Sequence, residues 1–400
     1  MSVTGNQRQI FLRLAAELRP HWHRDAAFAQ RLHTLIARQR AFGSRDRRLY
    51  RELLYTTVRY APWIEPRLDR DPVEAAATVA WLAADLPATR AYRLAHLADR
   101  PPCPASVAGK AALLHEAPDI LLPAWLKEEC PQAWSELELD ALHRRAPLWL
   151  RIQSGDHAAI AAEFAASGWT WRTSSVHPEA WEVLAEADVT QSQVFKQGLF
   201  EIQDLGSQLI LATVDIPAGE RWLDACAGAG GKTLQLARLV GPGGKVDAHD
   251  IRPAALTELA TRAGRAGLRN ISVRQAEPDG LYDGVLVDAP CSGSGTWRRA
   301  PHLKWTTTPE QIARHATAQL DLLGQFSARV RPGGRLIYAT CSLARSENTK
   351  VMEAFLAQQP EFTPVAPMAG FGYVSDGVGL AILPAAHDTD GFYVATLRRS

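Results

Sequence analysis

RWLDACAGAGGKT, Arg221 to Thr233, starts as a short apolar strand, passes through a glycine loop and ends at the start of a helical run, TLQLARLV. This pattern decides the fold, because it repeats. GGKVDAHD reads as a second strand ending in an acid, and AALTELATRAG as a second helix. ISVRQAE, YDGVLVDAP and GGRLIYATC are further strands, with a helix expected from Pro309 to Val330 between the last two. DGFYVATLRR reads as a closing strand, antiparallel at the sheet edge. Strands alternating with helices predict a parallel sheet covered on both faces. Functional groups of such a sheet gather at the carboxyl ends of its strands. Asp224, Asp250, Glu277, Asp288 and Cys341 all fall at or just beyond strand ends.

Upstream the texture differs. Helical patterns run to about residue 145, broken by Pro62, Pro87, Pro101 and Pro102, so an all-α domain is expected over 1–145. PLWLRIQSG, from Pro147, opens a small α+β subdomain over 146–200, with a helix at Asp156–Ala166. The α/β domain then occupies 201–400. Residues 1–60 hold twelve Arg, no Lys and four acids. The densest part is Arg38–Arg51, with Ser44 a plausible helix cap and Leu49, Leu53, Leu54 and Val58 at helical spacing. A solvated helix face with snorkelling arginines is the plain reading. So dense a run of one sign also suits a polyanion, through Arg45, Arg47 and Arg48.

The whole chain of 400 residues carries a net charge of only +1, which names no partner. Its length calls for two or three cores. Five cysteines without a CxxC pair argue against a disulfide framework or a zinc site and for a reducing compartment. No apolar run resembles a signal peptide or reaches the length of a membrane span. A soluble cytoplasmic monomer without metal is expected.

A glycine loop leading into a helix favours an anionic or closely approaching ligand. One candidate is a nucleotide-phosphate loop, GxxxxGK[ST], whose end Gly231, Lys232 and Thr233 fit. Its first glycine would have to be residue 226, which is Cys226. Asp250, about twenty residues on, sits where an acid grips ribose hydroxyls. Together these favour an adenosine-containing cofactor held by its ribose over a triphosphate.

Buried cysteines are mostly small hydrophobes, the reading kept for Cys103, Cys130 and Cys226. Cys291, in LVDAPCSGSG (Leu286–Gly295), and Cys341, in LIYATCSL (Leu336–Leu343), both end strands at the ligand edge. A nucleophilic thiol needs a lowered pKa or a nearby base. Asp288, three residues before Cys291, would disfavour a thiolate there, so the thiols and the acid must divide the labour.

DACAGAGGKT, DAPCSGSG with the following TWRRAPHLKW, and ATCSL, in this order and spacing, resemble the RNA (cytosine-5)-methyltransferases of the RsmB/NSUN type. The resemblance covers about residues 145–400; within it GLFEIQDLGSQL, Gly198–Leu209, is similar to the family's lead-in to the fold and DGFYVATL to its closing strand. SRDRRLYRELLYTTVRY, Ser44–Tyr60, resembles the NusB-like helical domain of the ribosomal RNA branch. The resemblance implies a Rossmann-like domain that uses S-adenosylmethionine. By position, Cys226, Ala227, Gly228, Ala229, Gly230, Gly231 and Lys232 would wrap the methionine end of the cofactor. Asp250 would hold the ribose, and Asp288 would lie near the sulfonium and the target base. Two departures stand out. Glu277 replaces the usual Asp after the next strand, and the usual Ala-Pro-Gly-Gly reads Gly228-Ala229-Gly230-Gly231.

The resemblance also implies the division of labour. Cys341 attacks carbon 6 of cytosine, which makes carbon 5 nucleophilic, and Cys291 assists release. Asp288, neutral through burial, would donate to ring nitrogen 3. The base must leave its stack, so unpaired or flipped nucleotides are expected. Arg298, Arg299 and Lys304, with Trp305, would bind phosphate and stack on a base, or else form a solvated loop with a packed Trp; His302 reads as structural. The implied substrate is ribosomal RNA, small-subunit 16S. Transfer RNA is the nearest alternative. A P-loop NTPase is disfavoured by Cys226 and the ATCS strand. A degenerate, non-catalytic RNA-binding protein is disfavoured by the intact cysteine pair.

Overall fold

The computed structural model describes residues 3–97, 100–373 and 375–400. The chain falls into two compact units, Met1–Arg145 with Thr296–Thr308, and Ala146–Gly295 with Pro309–Ser400.

The second unit holds two sheets. The smaller is antiparallel, built from β1 (Leu148–Ile152), β2 (Trp171–Thr173), β3 (Ala180–Val183) and β4 (Phe200–Ile202) in the order β2-β3-β1-β4. The helix His157–Ala166, capped by Asp156 on the Ala159 N–H, packs Ile160 and Phe164 in the core beside it. The larger sheet contains β5 (Arg221–Asp224), β6 (Lys245–His249), β7 (Ile271–Arg274), β8 (Tyr282–Asp288), β9 (Val330–Thr340), β10 (Phe362–Val365), β11 (Leu380–Ile382) and β12 (Phe392–Arg399). Its order is β10-β12-β9-β8-β5-β6-β7, with β11 paired to β12. β5 to β9 run parallel, and β12 is antiparallel to β9.

The apolar runs of the middle strands are continuous because both faces are covered. Val285, Val287, Leu336 and Tyr338 point into one core, and Leu286, Ile337 and Ala339 into the other. The chain passes from β5 outward to β6 and β7, then returns to place β8 on the other side of β5. This reversal opens a crevice at the carboxyl ends of β5 and β8, where ligands of open α/β sheets bind. Asp224 ends β5 and Asp288 ends β8.

Two boundaries depart from the sequence reading. The helix from Pro309 stops at Ser327, and Val330 opens β9, because its side chain joins the apolar core beneath the sheet. The closing strand β12 is antiparallel but lies inside the sheet, flanked by β9 and β10. The short strands β10 and β11 pair along its other edge.

The first unit is helical in its described residues. Its helix Ser44–Arg59 begins one residue earlier than the Ser44 cap reading, with Gly43 at the cap position and Asp46 accepting the Gly43 N–H at 3.2 Å. Leu49, Leu53, Leu54 and Val58 are buried as the spacing predicted. Thr296–Thr308 joins this unit rather than the α/β one. Trp305 Nε1 donates to the Val58 carbonyl at 2.7 Å, and Trp297 packs edge-on against Trp125. Among the described residues no helix is long and apolar enough to cross a membrane.

Candidate active site

The glycine loop follows β5 and opens the helix Gly231–Leu239. Gly228 and Gly230 adopt φ of +52° and +89°, which side-chain-bearing residues rarely do. A Cβ on Gly230 would also stand 2.7 Å from Leu259 Cγ. The loop is pinned from outside. Asp250 Oδ2 accepts the Gly228 N–H at 2.8 Å, Arg262 donates to the Ala229 carbonyl at 2.7 Å, and Arg151 donates to the Gly231 carbonyl at 2.6 Å. Arg151 lies on β1, so the small sheet serves the loop directly. The Cys226 thiol is pushed up by burial and by the carboxylates of Asp224, Asp288 and Asp250, which suits it to packing rather than attack.

Three carboxylates surround the crevice. Asp250 accepts from Gly228 and, through both oxygens, from Arg252. The Arg252 side chain is 68% exposed. Asp224 is buried. Its Oδ2 accepts from Thr233 Oγ1 at 2.7 Å, and Oδ1 has no partner among the described residues. Burial pushes its carboxyl up to about 7, against the hydrogen bond from Thr233. Asp288 Oδ2 pairs with Lys232 Nζ at 2.8 Å. Burial works against the Lys232 charge, but facing Asp288 outweighs it and holds the ammonium above its ordinary pKa. The Asp288 side chain is 31% exposed, and the Lys232 ammonium faces it.

The two thiols meet at the next strand ends. Cys291 Sγ and Cys341 Sγ lie 3.3 Å apart. The Cys291 thiol is raised well above its usual range by this contact with Cys341 and by burial. Lys232, held by Asp288, lies within electrostatic reach of Cys341. A cation, a carboxylate and two thiols thus converge beside the glycine loop.

The chain matches the family 16S rRNA methyltransferase RsmB/F over residues 211–398. Ribosomal RNA small subunit methyltransferase B of Vibrio cholerae serotype O1 is 33% identical over 304 residues, covering 72% of this chain and 68% of that protein. The chain belongs to the RsmB/F methyltransferase family. The probable ribosomal RNA small subunit methyltransferase B of Bacillus subtilis (strain 168) is 31% identical over 297 residues. Over that alignment the chain spans 66% of the relative's length, just under two thirds. A crystal structure of PH0851 shares the fold over 98% of this chain and 99% of that one, with a TM-score of 0.75 and 22% identity. A crystal structure of NSun6 from Pyrococcus horikoshii with SFG covers 69% of this chain and 98% of that one, with a TM-score of 0.60 and 18% identity.

The cofactor of this methyltransferase family is S-adenosylmethionine, and the residues present fit it. Asp250 offers a carboxylate just beyond a strand end, beside the glycine loop and paired with the exposed Arg252 side chain. Asp224 holds a buried oxygen without a hydrogen-bond partner among the described residues, free to meet a ligand in the crevice. The glycine loop brings backbone close to the same crevice.

Other residues lie elsewhere. Glu277 is half exposed and accepts from Arg329 at 3.2 Å; no hydrogen bond ties it to the glycine loop among the described residues. Arg298 and Lys304 are corrections to the phosphate reading. They are 1% and 2% exposed. Lys304 Nζ donates to the Arg59 carbonyl at 3.0 Å and lies 2.9 Å from His143 Nε2, and the Arg298 carbonyl accepts from Arg59. They fasten Thr296–Thr308 into the helical unit. Arg299 is exposed, as are Arg45 and Arg48; Arg47 is half-buried, its Nε on the Phe42 carbonyl at 3.1 Å. Sequence reading missed Arg151 and Arg262, whose carbonyl contacts leave no local signal. It also missed Thr233 as a partner of Asp224, although both stood in the opening motif.

Proposed function

We propose that the protein methylates carbon 5 of a cytosine in ribosomal RNA, small-subunit 16S, acting as a cytoplasmic monomer. The observation that carries this reading is the 3.3 Å approach of Cys291 and Cys341 beside the Lys232–Asp288 pair and the glycine loop. S-adenosylmethionine, when bound, supplies the methyl group. Cys226–Lys232 and Asp250 would hold it, and Asp288 would lie near both its sulfonium and the base.

Carbon 5 of cytosine is too weak a nucleophile to take a methyl group unaided. The Cys341 thiolate adds to carbon 6, and the electron pair of the 5,6 double bond moves toward carbon 5 and the ring. Asp288 acts as the acid that donates its proton to nitrogen 3, where the charge gathers, with the Lys232 ammonium beside it. Carbon 5 would then take the methyl group, the bond to the cofactor's sulfonium breaking to leave a neutral thioether, and the carbon-5 proton passes to water. The electrons of that C–H bond restore the double bond as the carbon 6–sulfur bond breaks. Cys291, kept as a thiol by its contact with Cys341, stands where it can return a proton to the leaving sulfur. The exposed arginines of the helical unit, Arg45 and Arg48 among them, supply backbone contacts to RNA, with Arg47 and Arg299 at its margins. The ribosomal substrate is supported by the names of the relatives at 31–33% identity.

The test is transfer of labelled methyl groups to ribosomal and transfer RNA from a deletion strain, with bisulfite sequencing of both. One new methylcytosine in small-subunit RNA supports the reading. A mark confined to transfer RNA moves the substrate, and no cytosine mark overturns the chemistry.

A further inference from the structure

Glu347 lies six residues beyond Cys341 and is fully buried. Its carboxylate makes no ion pair among the described residues; hydrogen bonds satisfy it instead. Oε1 accepts from the Ser292 backbone N–H at 2.8 Å and from Gln319 Nε2 at 3.2 Å. Oε2 accepts from Ser342 Oγ at 2.6 Å and from Ser292 Oγ. Ser292 follows Cys291, and Ser342 follows Cys341. Gln319 also donates to the Pro290 carbonyl at 3.0 Å, on the other side of Cys291. One carboxylate therefore grips the residue after each thiol.

The ties around it are mutually consistent. Gly295 N donates to the Cys341 carbonyl at 2.9 Å, and Leu343 N to Ser294 Oγ at 2.8 Å. Asn348 Nδ2 donates to the Ser342 carbonyl at 2.9 Å. A buried carboxylate is costly to desolvate unless fully hydrogen-bonded, so a neutral side chain would serve mere packing better. Four donors converging from both cysteine loops and the Pro309–Ser327 helix give the charge a specific use.

We infer that Glu347 is a positioning residue for the reaction: its buried carboxylate clamps the Cys291 and Cys341 loops together and sets the distance between the thiols. This rests on the cysteine chemistry proposed above. Glu347 touches no reacting atom in that scheme, so its loss should act on the catalytic step and leave binding alone.

The experiment compares wild type, Glu347→Ala and Glu347→Gln for kcat, KM for RNA, S-adenosylmethionine affinity and melting temperature. In Glu347→Ala, kcat should fall on the order of 100-fold, the scale of a misplacement near 1 Å, while KM and cofactor affinity hold. Glu347→Gln should recover most of kcat, because its carbonyl still accepts the Ser292 N–H and the serine hydroxyls can turn to accept from its amide. A wild-type kcat in Glu347→Ala, or no recovery in Glu347→Gln, overturns the clamp. If Glu347→Ala does not fold, Ser292→Ala and Ser342→Ala each cut one tie: lower kcat at unchanged KM in both supports the clamp, and unchanged kcat in both overturns it. A wild-type enzyme that methylates no cytosine refutes the underlying chemistry, which is a separate result.

Discussion

Cys291 Sγ and Cys341 Sγ stand 3.3 Å apart although fifty residues separate them in the chain. Adjacent parallel strands explain this. Asp288 on β8 is in register with Ala339 on β9, and each cysteine follows a few residues later, beyond the same end of the two strands. The parallel register delivers the second thiol to the first.

The cofactor site yields the first prediction. Asp250→Ala should weaken S-adenosylmethionine binding by about 2–3 kcal/mol, the scale of charge-assisted hydrogen bonds. Because Asp250 also accepts the Gly228 N–H, Asp250→Asn should lose less than Ala. Calorimetry with S-adenosylmethionine and with ATP checks both points. Tight ATP binding without S-adenosylmethionine binding would favour a nucleotide-phosphate loop.

Two groups of basic residues should behave oppositely. Arg45, Arg47 and Arg48 changed to Ala should flatten the salt dependence of RNA binding by about one unit of log–log slope per lost contact, with melting unchanged. Lys304→Ala should leave that slope alone and destabilise the protein by about 2–4 kcal/mol, since it vacates a buried site and strands the Arg59 carbonyl. Salt titrations and denaturant melts of both variants decide. An unaltered slope in the triple variant would leave only a solvated helix face.

Asp224 makes stability depend on pH. Its folded pKa, about 7, lies above the ordinary 3.8, so the native state holds this proton more tightly than the unfolded chain. Its contribution is greatest below about pH 4 and declines as pH rises through about 7. Asp224→Asn cannot ionise and should show a flatter stability profile across that window. Denaturant unfolding of the cofactor-free protein at several pH values measures it, and parallel profiles for both proteins would refute the shift.

Much of the fold and site is legible in short-range pattern. The strand–loop–helix of Arg221–Thr233, the strand ends at Asp250 and Asp288, and the two strand-end cysteines all follow from it. What the sequence hides depends on partners distant in the chain. Lys304 looks like a phosphate ligand because basic residues surround it, yet Arg59 and His143, far upstream, bury it. The partner of Asp288 is Lys232, 56 residues earlier, and no local pattern announces it. Glu347 sits in a polar stretch, ARSEN, which by composition is a solvated loop; only the return of the Cys291 loop makes it a buried clamp.

Two single variants on one denaturing gel test the central claim, that both thiols work and Cys341 attacks. Cys341→Ser, incubated with RNA and S-adenosylmethionine, should give no methylation and no protein–RNA adduct, because an alcohol ionises far less than a thiol at neutral pH. Cys291→Ser should form the covalent bond and release it poorly, leaving a denaturant-resistant band heavier than the free protein. An adduct that accumulates in Cys341→Ser and not in Cys291→Ser would contradict the account and reverse the roles of the two cysteines.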